Sequence, residues 1–82
     1  MQIDSRVVKK YVRPVLPETA RRMGLKGLVK VEAVVAPSGR VTAVRPIGGH
    51  PLLVESAMLA VKAWVFNPGP QETRSTISMN FQ

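Results

Sequence analysis

Apolar residues recur along this chain with two different periods, and the places where one period gives way to the other mark its elements. Val29, Val31, Ala33 and Val35 alternate with Lys30, Glu32 and Val34, the period of a strand with one buried face. Ala36-Pro37-Ser38-Gly39 follows as a hairpin turn, with Pro and Gly where a tight reversal needs a fixed and a permissive backbone. The return strand runs from Arg40 to Arg45. Its apolar positions Val41, Ala43 and Val44 break strict alternation, which predicts a bulge or a segment covered on both sides. After Gly48-Gly49 and Pro51, the residues Leu53, Ala57, Ala60, Val61 and Trp64 recur at the spacing of one helical face, with Glu55, Ser56 and Lys62 opposite. Asn67-Pro68-Gly69-Pro70 ends that helix. Ile77, Met79 and Phe81 then alternate with Thr76, Ser78 and Asn80 in a half-buried strand from Ser75 to Phe81.

Upstream, Pro17 suits the first turn of a short helix, Glu18 sets a negative charge at its positive end, and Gly24 suits its C-terminal cap, so a helix is predicted from Pro17 to Met23. Residues 1–13 mix Val with Lys and Arg, and Pro14 and Pro17 limit any continuation. They read as a flexible or edge-paired N-terminal arm, leaving residues 14–82 as the domain. The order is helix, strand, strand, helix, strand. A three-stranded antiparallel sheet with both helices packed on one face buries every apolar stripe, which makes the expected class α+β.

Composition narrows the partners more than the fold. At 82 residues and 45% hydrophobic the chain suits one domain with a real core, and with no cysteine that core is held by packing alone. No run of about 20 apolar residues is present to span a bilayer, and residues 1–10 are a charged mixture unlike a signal peptide. A setting outside the cytoplasm therefore requires an upstream segment. The net charge of +7 attracts anionic partners. Eight of the twelve basic residues lie in the first thirty positions, which leaves the C-terminal half nearly neutral.

Catalytic chemistry has little to work with. His50 is the sole histidine, between Gly49 and Pro51 at a helix start, where a structural role is expected. Asp4, Glu18, Glu32, Glu55 and Glu72 are dispersed without motif spacing. Gly24 with Gly27, and Gly48-Gly49, lack the companions of a phosphate-binding loop. One histidine and no cysteine make no metal site. The expectation is a protein that is not an enzyme and holds no cofactor. Nucleic-acid binding by stacking needs exposed aromatics, yet Trp64 and Phe81 fall on core faces, so the positive charge reads as solvated. What remains is a sheet edge: the last strand, Ser75 to Phe81, can lie at a border and accept an extended peptide through its backbone. Cover by the N-terminal arm or by a second copy is equally compatible.

Several runs together resemble the TonB C-terminal domain family. Leu16-Pro17-Glu18-Thr19-Ala20 is similar to its Tyr-Pro-x-x-Ala opening, and Gly24-Leu25-Lys26-Gly27-Leu28-Val29 to its Gly-x-x-Gly-x-Val strand entry. Pro37-Ser38-Gly39-Arg40-Val41 resembles its hairpin turn. Gly49-His50-Pro51-Leu52-Leu53 through Trp64-Val65-Phe66-Asn67-Pro68 resembles its second helix and Trp-x-Phe-x-Pro exit. Leu16 stands where Tyr is usual, and Val65 where Arg is common. The resemblance covers about Pro14 to Phe81. It implies a periplasmic domain that grips the TonB box of outer-membrane transporters by strand addition. Ser75, Thr76, Ile77, Ser78, Met79, Asn80 and Phe81 would form the pairing strand, and Val15 and Leu16 would face the transporter plug. It also implies a tether to the inner membrane and an ExbB/ExbD-like complex reached through an N-terminal region this sequence lacks. Strand-exchanged homodimers, or a basic module for nucleic acid or an anionic envelope polymer, are the alternatives.

Overall fold

The computed structural model describes residues 2–3 and 6–81; Met1, Asp4 and Ser5 of the expected arm, and Gln82, lie outside the described residues. The elements are β1 (Gln2–Ile3), β2 (Arg6–Lys10), α1 (Glu18–Arg22), β3 (Gly27–Val35), β4 (Val41–Gly48), α2 (Pro51–Lys62), β5 (Val65–Phe66) and β6 (Thr73–Phe81). The main sheet is three-stranded and antiparallel, as the hydrophobic pattern predicts, and its strands lie in the order β4-β3-β6. Burial alternates along both β3 and β6 because the pleat turns successive side chains to opposite faces and only one face is covered. Val29, Val31, Ala33 and Val35 all point into the core and are buried. Ser75, Ile77 and Phe81 of β6 are buried beside them, and Met79 is partly buried.

The bulge expected in the return strand is present twice. Register slips between the partners of Lys30 and Val31, and again between those of Val34 and Val35, so β4 needs extra residues to stay beside β3. This strand also runs beyond Arg45, through Pro46 to Gly48, and gives way at Gly49, whose φ of 128° suits glycine.

Both helices start as their caps dictate. In α2, Pro51 takes the first turn and the His50 Nδ1 accepts from the Leu52 N–H at 3.2 Å, satisfying one of the amide groups that a helix start leaves open. In α1, the helix Glu18–Arg22 lies one residue inside each predicted end, with Pro17 as N-cap rather than first helical residue, Met23 as C-cap and Gly24 in the left-handed region at φ 65°. Glu18 pairs with Arg21 at 2.6 Å and Arg22 at 3.3 Å across single turns of α1.

Three expectations need correction. Helix α2 stops at Lys62, so Trp64 and Phe66 are not on a helical stripe, although both are buried in the core. Phe66 belongs to the unforeseen strand β5, which pairs with β2 on one side and meets the hairpin turn through Arg40 on the other. Ser56, placed on the solvent side by the helical pattern, is buried: its hydroxyl donates to the Val15 carbonyl, because residues 11–17 run alongside α2.

Close approach at the turn is paid for by one glycine. Gly39 has φ 95°, and a Cβ there would lie 1.9 Å from the Phe66 carbonyl oxygen. The Gly39 carbonyl accepts from the Phe66 N–H at 2.7 Å. Only a residue without a side chain permits both the conformation and the contact.

Candidate functional site

Two sheet borders could template another strand, and they differ. Along β4, Pro46 offers no N–H and two register shifts interrupt the ladder, features that blunt an edge. Along β6, nine successive residues from Thr73 to Phe81 pair with β3 from Val35 to Gly27 without a shift, and none is proline. A strand without a register shift presents the N–H and C=O of every second residue outward, the arrangement a second strand needs.

The segment that follows the arm shapes the space beside this edge. The Trp64 indole Nε1 donates to the Val12 carbonyl at 2.8 Å, and the Tyr11 ring lies 4.9 Å from the Trp64 ring. With Ser56 fixing Val15, these bonds hold residues 11–16 between α2 and β6. A groove of about 550 Å³ is left between that segment and residues 78–81 of β6, lined among others by Leu16, Trp64, Met79 and Arg13. Its wall is mixed, with apolar area from the aromatics and one cation from Arg13.

Of the residues singled out in the sequence, Ser75 to Phe81 form one continuous edge strand, with Thr76, Ser78 and Asn80 exposed on the open face of the sheet. Leu16 packs against the core and lines the groove, whereas Val15 projects to solvent at 78% exposure and lines a separate depression beside α2. The structure thus brings Leu16 to the β6 side and turns Val15 away from it. Tyr11 and Arg13, not picked out from the sequence, also line the groove. Their position depends on the Trp64 to Val12 bond across more than fifty residues, for which no local pattern exists.

The described part of the arm pairs away from β6. Its β2 pairs with β5 at Val8↔Phe66 and Lys10↔Val65, and β1 folds back on β2. β1 comes within 8 Å of β6 without joining its ladder. Among the described residues no group of three His, Cys, Asp or Glu is placed to hold a metal.

An α+β domain with one smooth, unladdered sheet edge and a mixed groove beside it is the class these features define. The family model for the C-terminal region of the Gram-negative bacterial TonB protein matches residues 12–82, and the chain belongs to that family. Its fold is similar to that in the solution NMR structure of the Pseudomonas aeruginosa TonB CTD, with a TM-score of 0.76 over 100% of this chain and 95% of that one, at 21% identity. No curated protein matches the chain. The family is one of non-catalytic periplasmic transducers that act in transport with outer-membrane transporters. Among the described residues no helix is long and apolar enough to cross a membrane.

Proposed function

We propose that this domain captures a short extended segment of an outer-membrane transporter, the TonB box, by strand addition to β6. In this reading Ser75 to Phe81 supply the backbone partners, while Leu16 and Val15 face the transporter from either side of the segment that carries them. Residues 14–82 act as the binding domain and residues 1–13 as its arm. A tether to the inner membrane and an ExbB/ExbD-like complex supply the energy that the captured segment relays to transport.

The uninterrupted nine-residue register between β3 and β6 carries this reading, since it leaves one border regular where β4 is bulged and interrupted by Pro46. Backbone titration by NMR with a TonB-box-like peptide tests it. Amide shifts are expected in Ser75 to Phe81 and in the groove residues Tyr11 to Leu16. N-methylation of alternate peptide residues should weaken binding at one set of positions and spare the other, because only alternate amides of an added strand face its neighbour. Absence of shifts at millimolar peptide, with the domain folded and monomeric, sinks the proposal. Concentration-dependent shifts in β6 without peptide would instead assign that edge to self-association.

A further inference from the structure

Residues 18–30 carry four cations, Arg21, Arg22, Lys26 and Lys30, against a single acid, Glu18. Glu18 is shared between Arg21 and Arg22 on α1, and Lys26 and Lys30 are in no ion pair among the described residues. Two large apolar side chains stand exposed among these charges, Met23 at 58% and Leu28 at 56%. Between them the chain turns through Gly24 and Gly27, both at positive φ, while Leu25 packs back against the core. The turn that joins α1 to β3 therefore keeps Leu25 inward and sets Met23 and Leu28 out in water. A lone exposed apolar side chain is ordinary on a protein surface, but two in one turn, flanked by cations, mark a contact.

The chemistry of this corner selects among anionic partners. Single-stranded nucleic acid is held on a basic surface by base stacking, and residues 18–30 contain no aromatic ring. An acidic protein face would meet the cations but set charge against Met23 and Leu28. An anionic bilayer answers both features: its phosphates meet the guanidinium and ammonium groups, while the apolar side chains enter the boundary between headgroups and acyl chains. The long stems of Lys26 and Lys30 let their charges stay at the phosphates as the apolar tips sink. The corner also adjoins the last residues of β6 and the groove beside them, because Gly27 pairs with Phe81 and Leu28 with Asn80.

We propose that the corner between α1 and β3 docks this domain on an anionic lipid surface, with Arg21, Arg22, Lys26 and Lys30 at the headgroup phosphates and Met23 and Leu28 inserted beneath them. Docked in this way, the domain carries the end of β6 against the bilayer. The contact is reversible and weakens with salt, because exposed charges are screened over about 8 Å at physiological ionic strength. It does not rest on capture of a peptide at β6.

Co-sedimentation of the intact chain with vesicles tests this, using phosphatidylethanolamine mixed with phosphatidylglycerol against phosphatidylcholine alone. Binding is expected to the anionic vesicles only. Lys26→Glu and Lys30→Glu should each weaken it at least about fivefold, the effect of a cation held near an anionic surface. Arg40→Glu makes the same change in net charge beyond the far end of the nine-residue β3, about 26 Å from Gly27, and should change binding less than about twofold. Met23→Ser combined with Leu28→Ser should weaken vesicle binding at least about tenfold and leave binding to heparin, a soluble polyanion, unchanged, with circular dichroism as the check on folding. Spin-labelled lipid in bicelles should broaden the amides of residues 21–30 ahead of those of β2 and α2. The proposal is overturned if anionic vesicles do not bind, if Arg40→Glu weakens binding as much as Lys26→Glu, if the apolar variant binds vesicles like the parent, or if broadening centres on Lys9 and Lys10 of the arm. Failure of the peptide titration at β6 would leave this docking standing, and the reverse also holds.

Discussion

The Trp64 indole donates to the carbonyl of Val12 at 2.8 Å, and this bond joins the end of α2 to the segment that shapes the groove beside β6. Trp64 is buried and Val12 is half-buried against the core, so breaking the bond removes a partner from a partly buried carbonyl. Trp64→Phe should lower stability by about 1–3 kcal/mol and broaden the amide signals of residues 11–16, as read by urea unfolding and NMR. Trp64→Ala should cost about 3–5 kcal/mol. Unchanged signals in that segment would show that the tie does not position it.

Gly39 and Gly24 provide a matched pair. Both have positive φ, but a Cβ at Gly39 meets the Phe66 carbonyl whereas one at Gly24 meets nothing within 4 Å. Gly24→Ala should cost about 1 kcal/mol, the conformational term alone. Gly39→Ala should cost at least about 3 kcal/mol, because β5 must also move. Equal losses in thermal or urea unfolding would remove the argument that close approach fixes this glycine.

What the pattern of residues conveyed, and what it did not, divides along the reach of each interaction. Strands β3 and β6 and the body of α2 were legible because each repeats its period over many residues. β5 was not, since two residues have no period, and Trp64 continued the spacing of Leu53, Ala57 and Ala60 closely enough to pass as helical. Ser56 looked outward for the same reason: its cover is a segment forty-one residues earlier. In the site, the edge strand was readable from alternation, while Tyr11 and Arg13 were not, because their place depends on long-range bonds to α2 and Trp64.

His50 should prove replaceable by a residue that can cap. His50→Asn keeps a side-chain acceptor for the Leu52 N–H and should hold stability within about 0.5 kcal/mol, whereas His50→Ala should lose about 1 kcal/mol. Chemical denaturation of the two variants decides it, and equal losses would mean that the bond contributes nothing.

On the open face, Glu32 lies 3.0 Å from Arg45 and 4.0 Å from Arg74, linking both outer strands to the central one. The arginines are largely exposed, so Glu32→Gln should cost under about 1 kcal/mol and the difference should shrink further in 1 M salt. A salt-independent loss would point to packing of the side chain instead.

Binding of an extended peptide at β6 should depend little on ionic strength, changing less than about threefold between 50 and 300 mM salt, because backbone pairing displaces few counterions. A fall of a hundredfold or more across that range, measured by fluorescence titration of the single tryptophan, would reassign the affinity to the +7 charge of the chain.

The groove beside β6 reaches only its last residues, 78–81, and is closed there by residues 11–16, while the stretch from Thr73 to Ile77 has no such wall. A segment laid along this border would therefore meet side chains of the domain at one end and backbone alone over the rest. The part beyond the groove is free to vary. Discrimination between partners then falls to a few letters at one end of a short word, and one such domain could serve several receptors whose sequences agree only there.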